Sequence, residues 1–368
     1  MTRVTGPLRE LSPQASTAPY IPSLDGIRCV AVSLVILSHA LFDAGINSFI
    51  PGNLGVTVFF FLSGYLITTL LRIEREKRGN VSIGNFMLRR ALRILPPFYL
   101  VFFLALAAAL IWDLGRMDGI LVTGQFFHLT NYILAYHDFD ANLIPGTDVL
   151  WSLAVEEHFY IIFPVVFLAI SRLDSRKHQA AVLLAACIGI LLWRCWLIFG
   201  AEYPTVRTYV ATDARADSIL FGCALALYGN PYLDSPRLSE TLLKRVLFPL
   251  SLALLAASVV IRDDWFTSTI RYTLQGVCLF PVFMVCVRFP RWGLISLLNL
   301  PWIRWLGVLS YSMYLVHRVV FLVVWEHLQP NFSVYLVTSL AATVAISALI
   351  YAFLEKPMLR FRKRLAAV

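Results

Sequence analysis

Residues Ser23 to Ala40 read SLDGIRCVAVSLVILSHA. The apolar run they open extends to Phe42, about the 20 residues a helix needs to cross the hydrocarbon core of a bilayer. Asp25, Gly26 and Arg28 stand at its beginning, and His39 follows eleven positions after Arg28. At about 100° per residue, eleven steps are three turns plus roughly 20°, so the two side chains share one face about 16 Å apart along the axis. A charged group inside the membrane is expensive, roughly 2.5–3.5 kcal/mol at a helix centre on insertion scales, so such residues are retained where they are used.

Working outward, the chain has 368 residues, of which 59% are hydrophobic and 14% charged, with a mean hydropathy of +0.73. Soluble chains hold about 45–50% apolar and about 25% charged residues, which excludes a soluble protein. Further apolar runs lie near Leu54–Leu71, Leu95–Asp113, Trp151–Ile170, Gln179–Gly200, Ala216–Tyr228, Val246–Ile261, Tyr272–Val287, Leu306–Trp325 and Val334–Leu354. With the first, they predict an all-α, polytopic transmembrane helical bundle of about ten spans. The six cysteines lie in apolar stretches without a C-x-x-C pair and read as small core residues.

The net charge of +9 gathers in alternate loops. Basic clusters at Arg72–Arg93, Arg172–Lys177, Arg237–Arg245, Arg288–Arg304 and Lys356–Arg364 all fall on the side of the N-terminus. The positive-inside rule then predicts both termini cytoplasmic, and the charge reports topology and membrane-lipid contact instead of a nucleic-acid partner. The expected organisation is a cytoplasmic tail over 1–20, a membrane domain over 21–357 and a basic cytoplasmic tail over 358–368. Gly119–Tyr136 would break the charge parity if it crossed, so it is read as a re-entrant or outer-surface segment. Leu294–Trp305 is read as interfacial. The residues before the first span show no signal-peptide cleavage pattern, and no internal repeat is found.

Other polar residues inside spans invite a functional reading beside a structural one. Ser63 and Gly64 in the second span suit close helix packing. Arg89, Arg90 and Arg93 are spaced to chelate phosphate through guanidinium forks, or to meet anionic headgroups. Glu156 and Glu157 head an apolar span with Ser152 and His158 near, and a carboxylate there could pair with His39 to polarise a hydroxyl, or with Arg215 as a structural ion pair. Arg215 and Asp217 open the sixth span. Ser310, Tyr314 and His317 share one helix face, which suits a hydrogen-bond network.

In order along the chain, SLDGIRCVAVSLVILSHA, GVTVFFFLSGYLIT (55–68), RRALRILPPFY (89–99), WSLAVEEHFYIIFP (151–164), RADSILFG (215–222), LSYSMYLVH (309–317) and EKP (355–357) resemble the acyltransferase 3 family of integral membrane O-acyltransferases. The resemblance implies transfer of an acyl group, usually acetyl from acetyl-CoA, to a hydroxyl of a carbohydrate or glycolipid acceptor such as an exopolysaccharide or lipopolysaccharide, in the bacterial inner membrane. It places the family's Arg-x10-His on Arg28 and His39, its basic donor-binding motif on Arg89, Arg90 and Arg93, and its acidic motif on Glu156 and Glu157. Supporting roles fall to Asp25, Ser63, Ser152, Arg215, Asp217, Tyr314 and His317. Thr57 departs from the acidic residue that many relatives carry there, which counts against a scheme needing a carboxylate in that span. Acyl-CoA is expected as a co-substrate, with no permanently bound cofactor and no metal. The chain ends soon after EKP, which favours direct transfer within the membrane domain or hand-over to a separate extracytoplasmic protein. A secondary transporter of a glycan or small acidic solute is the alternative; it predicts inverted repeats with broken helices.

Overall fold

The computed structural model describes residues 20–366 except 44, 47–49, 138, 140, 329 and 330, and side chains as far as residue 361. The expected tail over 1–20 lies outside the described residues but for Tyr20, and so do the side chains of 362–368.

Apolar runs that cannot leave backbone groups unpaired in lipid become helices, and no strand occurs among the described residues. The order is α1 (Pro22–Asp43), α2 (Gly52–Arg78), α3 (Ile83–Trp112), α4 (Gly119–Phe126), α5 (Thr130–His137), α6 (Leu150–Ile170), α7 (Arg176–Phe199), α8 (Thr205–Val210) and α9 (Thr212–Leu227). Then follow α10 (Glu240–Leu242), α11 (Phe248–Val260), α12 (Asp264–Ser268), α13 (Ile270–Arg288), α14 (Pro301–Leu328), α15 (Phe332–Ile350) and α16 (Lys356–Ala366). Wide π turns at Leu243–Leu247 and Tyr351–Glu355 run α10 into α11 and α15 into α16. Pro249 and Pro357 follow these turns. A proline has no N–H and crowds the carbonyl four residues back, and a widened turn gives it room.

Nine of the described helical segments are long and apolar enough to cross a membrane. The sixth expected span, Ala216–Tyr228, corresponds to α9, whose 16 residues rise about 24 Å, from Thr212 beside α5 and α6 to the Ala226 carbonyl beside Arg72 of α2. From Ala214 to Leu227 only Ala216 is not buried. Protein therefore surrounds α9, chiefly α2 and α7. The closest approach is reciprocal. A Cβ on Gly64 would stand 2.0 Å from the Ile219 carbonyl oxygen, and one on Gly222 2.0 Å from that of Phe61.

The helices start and stop at two ends, named here from α1: proximal where it begins and distal where it finishes. Gly119–Tyr136 does not cross. It forms α4 and α5, eight residues each, with α5 packed on α6 and α8 at the distal end. The interfacial stretch expected at Leu294–Trp305 divides into a 3-10 turn over Gly293–Asn299 and the first residues of α14, because Pro301 suits an opening helical turn.

An ion network ties the proximal end. The guanidinium of Arg72 bonds Asp234, Glu76 and the Ala226 carbonyl, and Arg176 reaches Glu76. Burial works to raise the Asp234 carboxyl, but the Arg72 bonds, with the N–H groups of Gly229 and Asn230, hold it below the usual aspartate value.

Candidate active site

Helices α1, α2, α3, α6 and α14 enclose a cavity of about 90 Å³, space for several water molecules or a slender chain. Its proximal wall carries Arg28, Arg90 and Arg93. Arg28 is held by Asp25 one turn earlier, at 3.1 Å. Arg90 lies over the Tyr160 ring at 5.4 Å. Midway along the wall, the Glu156 carboxylate accepts from Ser63 Oγ at 3.0 Å and, more closely, from the Tyr160 hydroxyl. The Ser63 and Tyr160 oxygens are themselves 2.9 Å apart. Towards the distal end stand Ser152 and Tyr314, with their hydroxyl oxygens 2.6 Å apart. The Tyr314 hydroxyl also donates to the Val149 carbonyl at 2.9 Å.

Tyr314 leads from the cavity to the histidines. Its carbonyl oxygen is 2.8 Å from Nδ1 of the fully buried His317, and Nε2 of His317 is 2.9 Å from Nδ1 of His39. The two rings stack with centroids 5.1 Å apart. A carbonyl only accepts, so with both rings neutral the His317 proton sits on Nδ1 and its Nε2 is an acceptor. His39 must then donate from Nδ1, which leaves its own Nε2 unprotonated. One backbone oxygen thus sets the tautomer of both rings. Beside the pair, Arg318 bonds Asp43 at 2.6 Å and approaches Asp148 at 3.6 Å, joining α14 to α1 and to the loop before α6.

The cavity gathers Arg28, Arg90, Arg93, Ser63, Ser152, Glu156 and Tyr314, and His39 and His317 meet beyond it. Three expectations are corrected. The hydrogen-bond partner of His39 is His317, not Glu156 or Glu157, because α6 presents Glu156 to Ser63 and Tyr160. Arg89 is not part of the cavity wall; it turns to Glu74 at 2.7 Å, since only the helix face bearing Arg90 and Arg93 points inward. Glu156 does not pair with Arg215. Glu157 also lies off the wall, with Oε1 buried and without a hydrogen-bond partner among the described residues. Asp217 bonds Arg194 at 2.7 Å, both side chains fully buried, so it braces α9 to α7. His158 meets Thr212 at 2.8 Å.

Sequence reasoning missed Tyr160 as the partner of Glu156, although their i, i+4 spacing puts them on one face. It also missed Arg318, whose position beside His317 and opposite Asp43 has no local signal.

Residues 21–352 match the family model described as the acyltransferase domain of acyltransferase 3, and the chain belongs to that family. Among its relatives, YrhL of Bacillus subtilis, provisionally named a peptidoglycan O-acetyltransferase, is 34% identical over 92% of this chain and 55% of its own length. The peptidoglycan O-acetyltransferase OatA of Listeria monocytogenes is 30% identical over 92% of this chain and 56% of its own. The chain spans about half the length of the curated relatives it matches. No solved structure matches it.

Proposed function

We propose that this member of the acyltransferase family is an O-acyltransferase of a bacterial cytoplasmic membrane, moving an acetyl group from acetyl-CoA to a carbohydrate hydroxyl. The proximal end faces the cytoplasm in this reading. Arg28, Arg90 and Arg93 bind the CoA phosphates, for which guanidinium forks are suited, and the pantetheine arm follows the cavity past Ser63 and Glu156 towards Tyr314. His39 Nε2 takes the proton of the acceptor hydroxyl as its oxygen attacks the thioester carbonyl. When the carbon–sulfur bond breaks, the imidazolium returns that proton to the CoA thiolate, so the histidine ends as it began. The names of two relatives favour a peptidoglycan-type glycan as acceptor.

The observation that carries this reading is the His39–His317–Tyr314 chain, which presents an unprotonated nitrogen beyond an arginine-lined cavity. The test is transfer of labelled acetyl from acetyl-CoA to muropeptide or oligosaccharide acceptors by the chain in proteoliposomes. His39→Ala is expected to lower turnover about 10²- to 10⁴-fold, the share of a general base, with normal membrane insertion. Near-normal turnover by the well-folded variant would overturn the role.

A further inference from the structure

A second cavity opens at the distal end, with a volume of about 560 Å³, in the range of small-molecule sites. Its walls include Ser38, the residue before His39, together with Asn53, Tyr209, Tyr272 and Arg271. No carboxylate lines it among the described residues. The Nε of Arg271 is buried without a hydrogen-bond partner among the described residues.

Behind this wall lies a stronger oddity. Arg215 is fully buried, and its Nε and Nη1 have no hydrogen-bond partner among the described residues. Its Nη2 donates to the Thr57 hydroxyl at 3.2 Å. The two acids nearest in sequence are both engaged, Asp213 by Arg207 and Trp193, and Asp217 by Arg194, by Thr273 and by the Ser218 N–H. The guanidinium carbon of Arg215 instead sits 3.7 Å from the centroid of the Tyr272 ring and 5.9 Å from that of Tyr209, and both rings line the cavity. Burying a cation with no carboxylate bonded to it is costly. Ring faces offset part of that cost and leave its field in a low-dielectric wall, directed at the space in front.

We propose that the distal cavity is the acceptor site and that its ligand is an anionic carbohydrate, a sugar bearing a carboxylate or phosphate that pairs with Arg271 while Arg215 supplies positive potential through the tyrosine wall. The two tyrosine rings suit sugar faces, and Ser38 sets the occupant beside His39. This rests on the acyl-transfer reading and narrows its acceptor.

The experiment measures calorimetric binding to the full chain in neutral-lipid nanodiscs, without donor. The probes are the N-acetylglucosaminyl-N-acetylmuramic acid disaccharide and its methyl ester, which differ in the charge of one carboxyl and in the ester's added methyl. The acid is expected to bind about tenfold or more tightly than the ester, the least that one charge-assisted hydrogen bond contributes. Arg271→Gln should abolish that preference and leave ester binding unchanged. Arg215→Gln should weaken the preference where it folds, but the conclusion stands on Arg271→Gln, whose side chain is only partly buried. Equal binding of acid and ester, absence of binding by both, or a preference that survives Arg271→Gln would overturn the proposal. Acetyl transfer measured on the same preparations separates the two ideas. Transfer without acid preference would leave the enzymatic reading standing, whereas acid binding without transfer would remove that reading and keep the anion site.

Discussion

At the histidine pair, a backbone carbonyl decides which nitrogen can act as a base. In the proposed reaction His317 is a positioning residue, and substitution should separate its hydrogen bond from its bulk. Gln places an amide oxygen near the site of the imidazole Nε2 and can still accept from His39, whereas Ala cannot. Turnover should fall in the order wild type, His317→Gln, His317→Ala, with the alanine loss about 10- to 100-fold, the range seen when the partner orienting a metal-bound imidazole is removed. The KM for acetyl-CoA should stay unchanged in both, and a parallel rise in KM would point to a collapsed cavity. Among the arginines, the test is the contrast between neighbours. Arg93→Gln should weaken donor binding by about 1.5–3 kcal/mol, the range for a hydrogen bond to a charged group. Arg89→Gln loses only a partly exposed pair with Glu74, worth about 0–1 kcal/mol, and should bind donor normally. Equal effects in titrations of the two variants would return Arg89 to the donor site.

Among the helices, the crossing of α2 and α9 fixes the geometry on which both cavities depend. Phe59, Phe60 and Ser63 of α2 line the proximal cavity, and Arg215 of α9 stands behind the distal one. With a Cβ 2.0 Å from a backbone oxygen in either direction, neither glycine accepts a side chain unless the helices part. Gly222→Val and Gly64→Val should each destabilise by several kcal/mol, at or beyond the 1–3 kcal/mol usual for overpacking, because the obstacle is backbone and cannot change rotamer. Thermal unfolding in detergent reads this directly, and a midpoint within a few degrees of wild type would contradict the packing. Helix positions were legible because hydropathy alone specifies them, and Ser63–Gly64 already suggested a close approach. The partner of His39 was not legible, since His317 lies on the ninth apolar run and α1 has other neighbours it could have faced. Nor was the turning away of Arg89, since a basic pair on adjacent positions gives two choices of inward face and tertiary packing makes the selection.

For the molecule as a whole, the two cavities put opposite demands on the two sides of the membrane, and sidedness is the property that tests them together. Acetyl-CoA is a cytoplasmic metabolite, so the proposed reaction requires the arginines of the proximal cavity to open to the cytoplasm and the acceptor to bind at the distal end. The charge pattern agrees in direction. Arg72, Arg75, Lys77 and Arg78 close α2, Arg172 and Arg176 flank the start of α7, and Lys356 and Arg360 belong to α16, all proximal. The turn that joins α2 to α3 is short, from Gly79 with φ of +73° to Ser82, whose side chain accepts from the Asn85 N–H. No crossing can be inserted between the basic end of α2 and Arg90, so a label placed in this turn reports the side of the donor arginines. A single cysteine at Asn80, with the natural cysteines replaced, should resist a membrane-impermeant maleimide in intact spheroplasts and react once the membrane is opened. A cysteine at Asp118, exposed in the loop before α4, should react from outside without opening. Reversal of this pattern would put the arginine cavity on the side without acetyl-CoA and would leave Arg28, Arg90 and Arg93 as anchors for lipid headgroups.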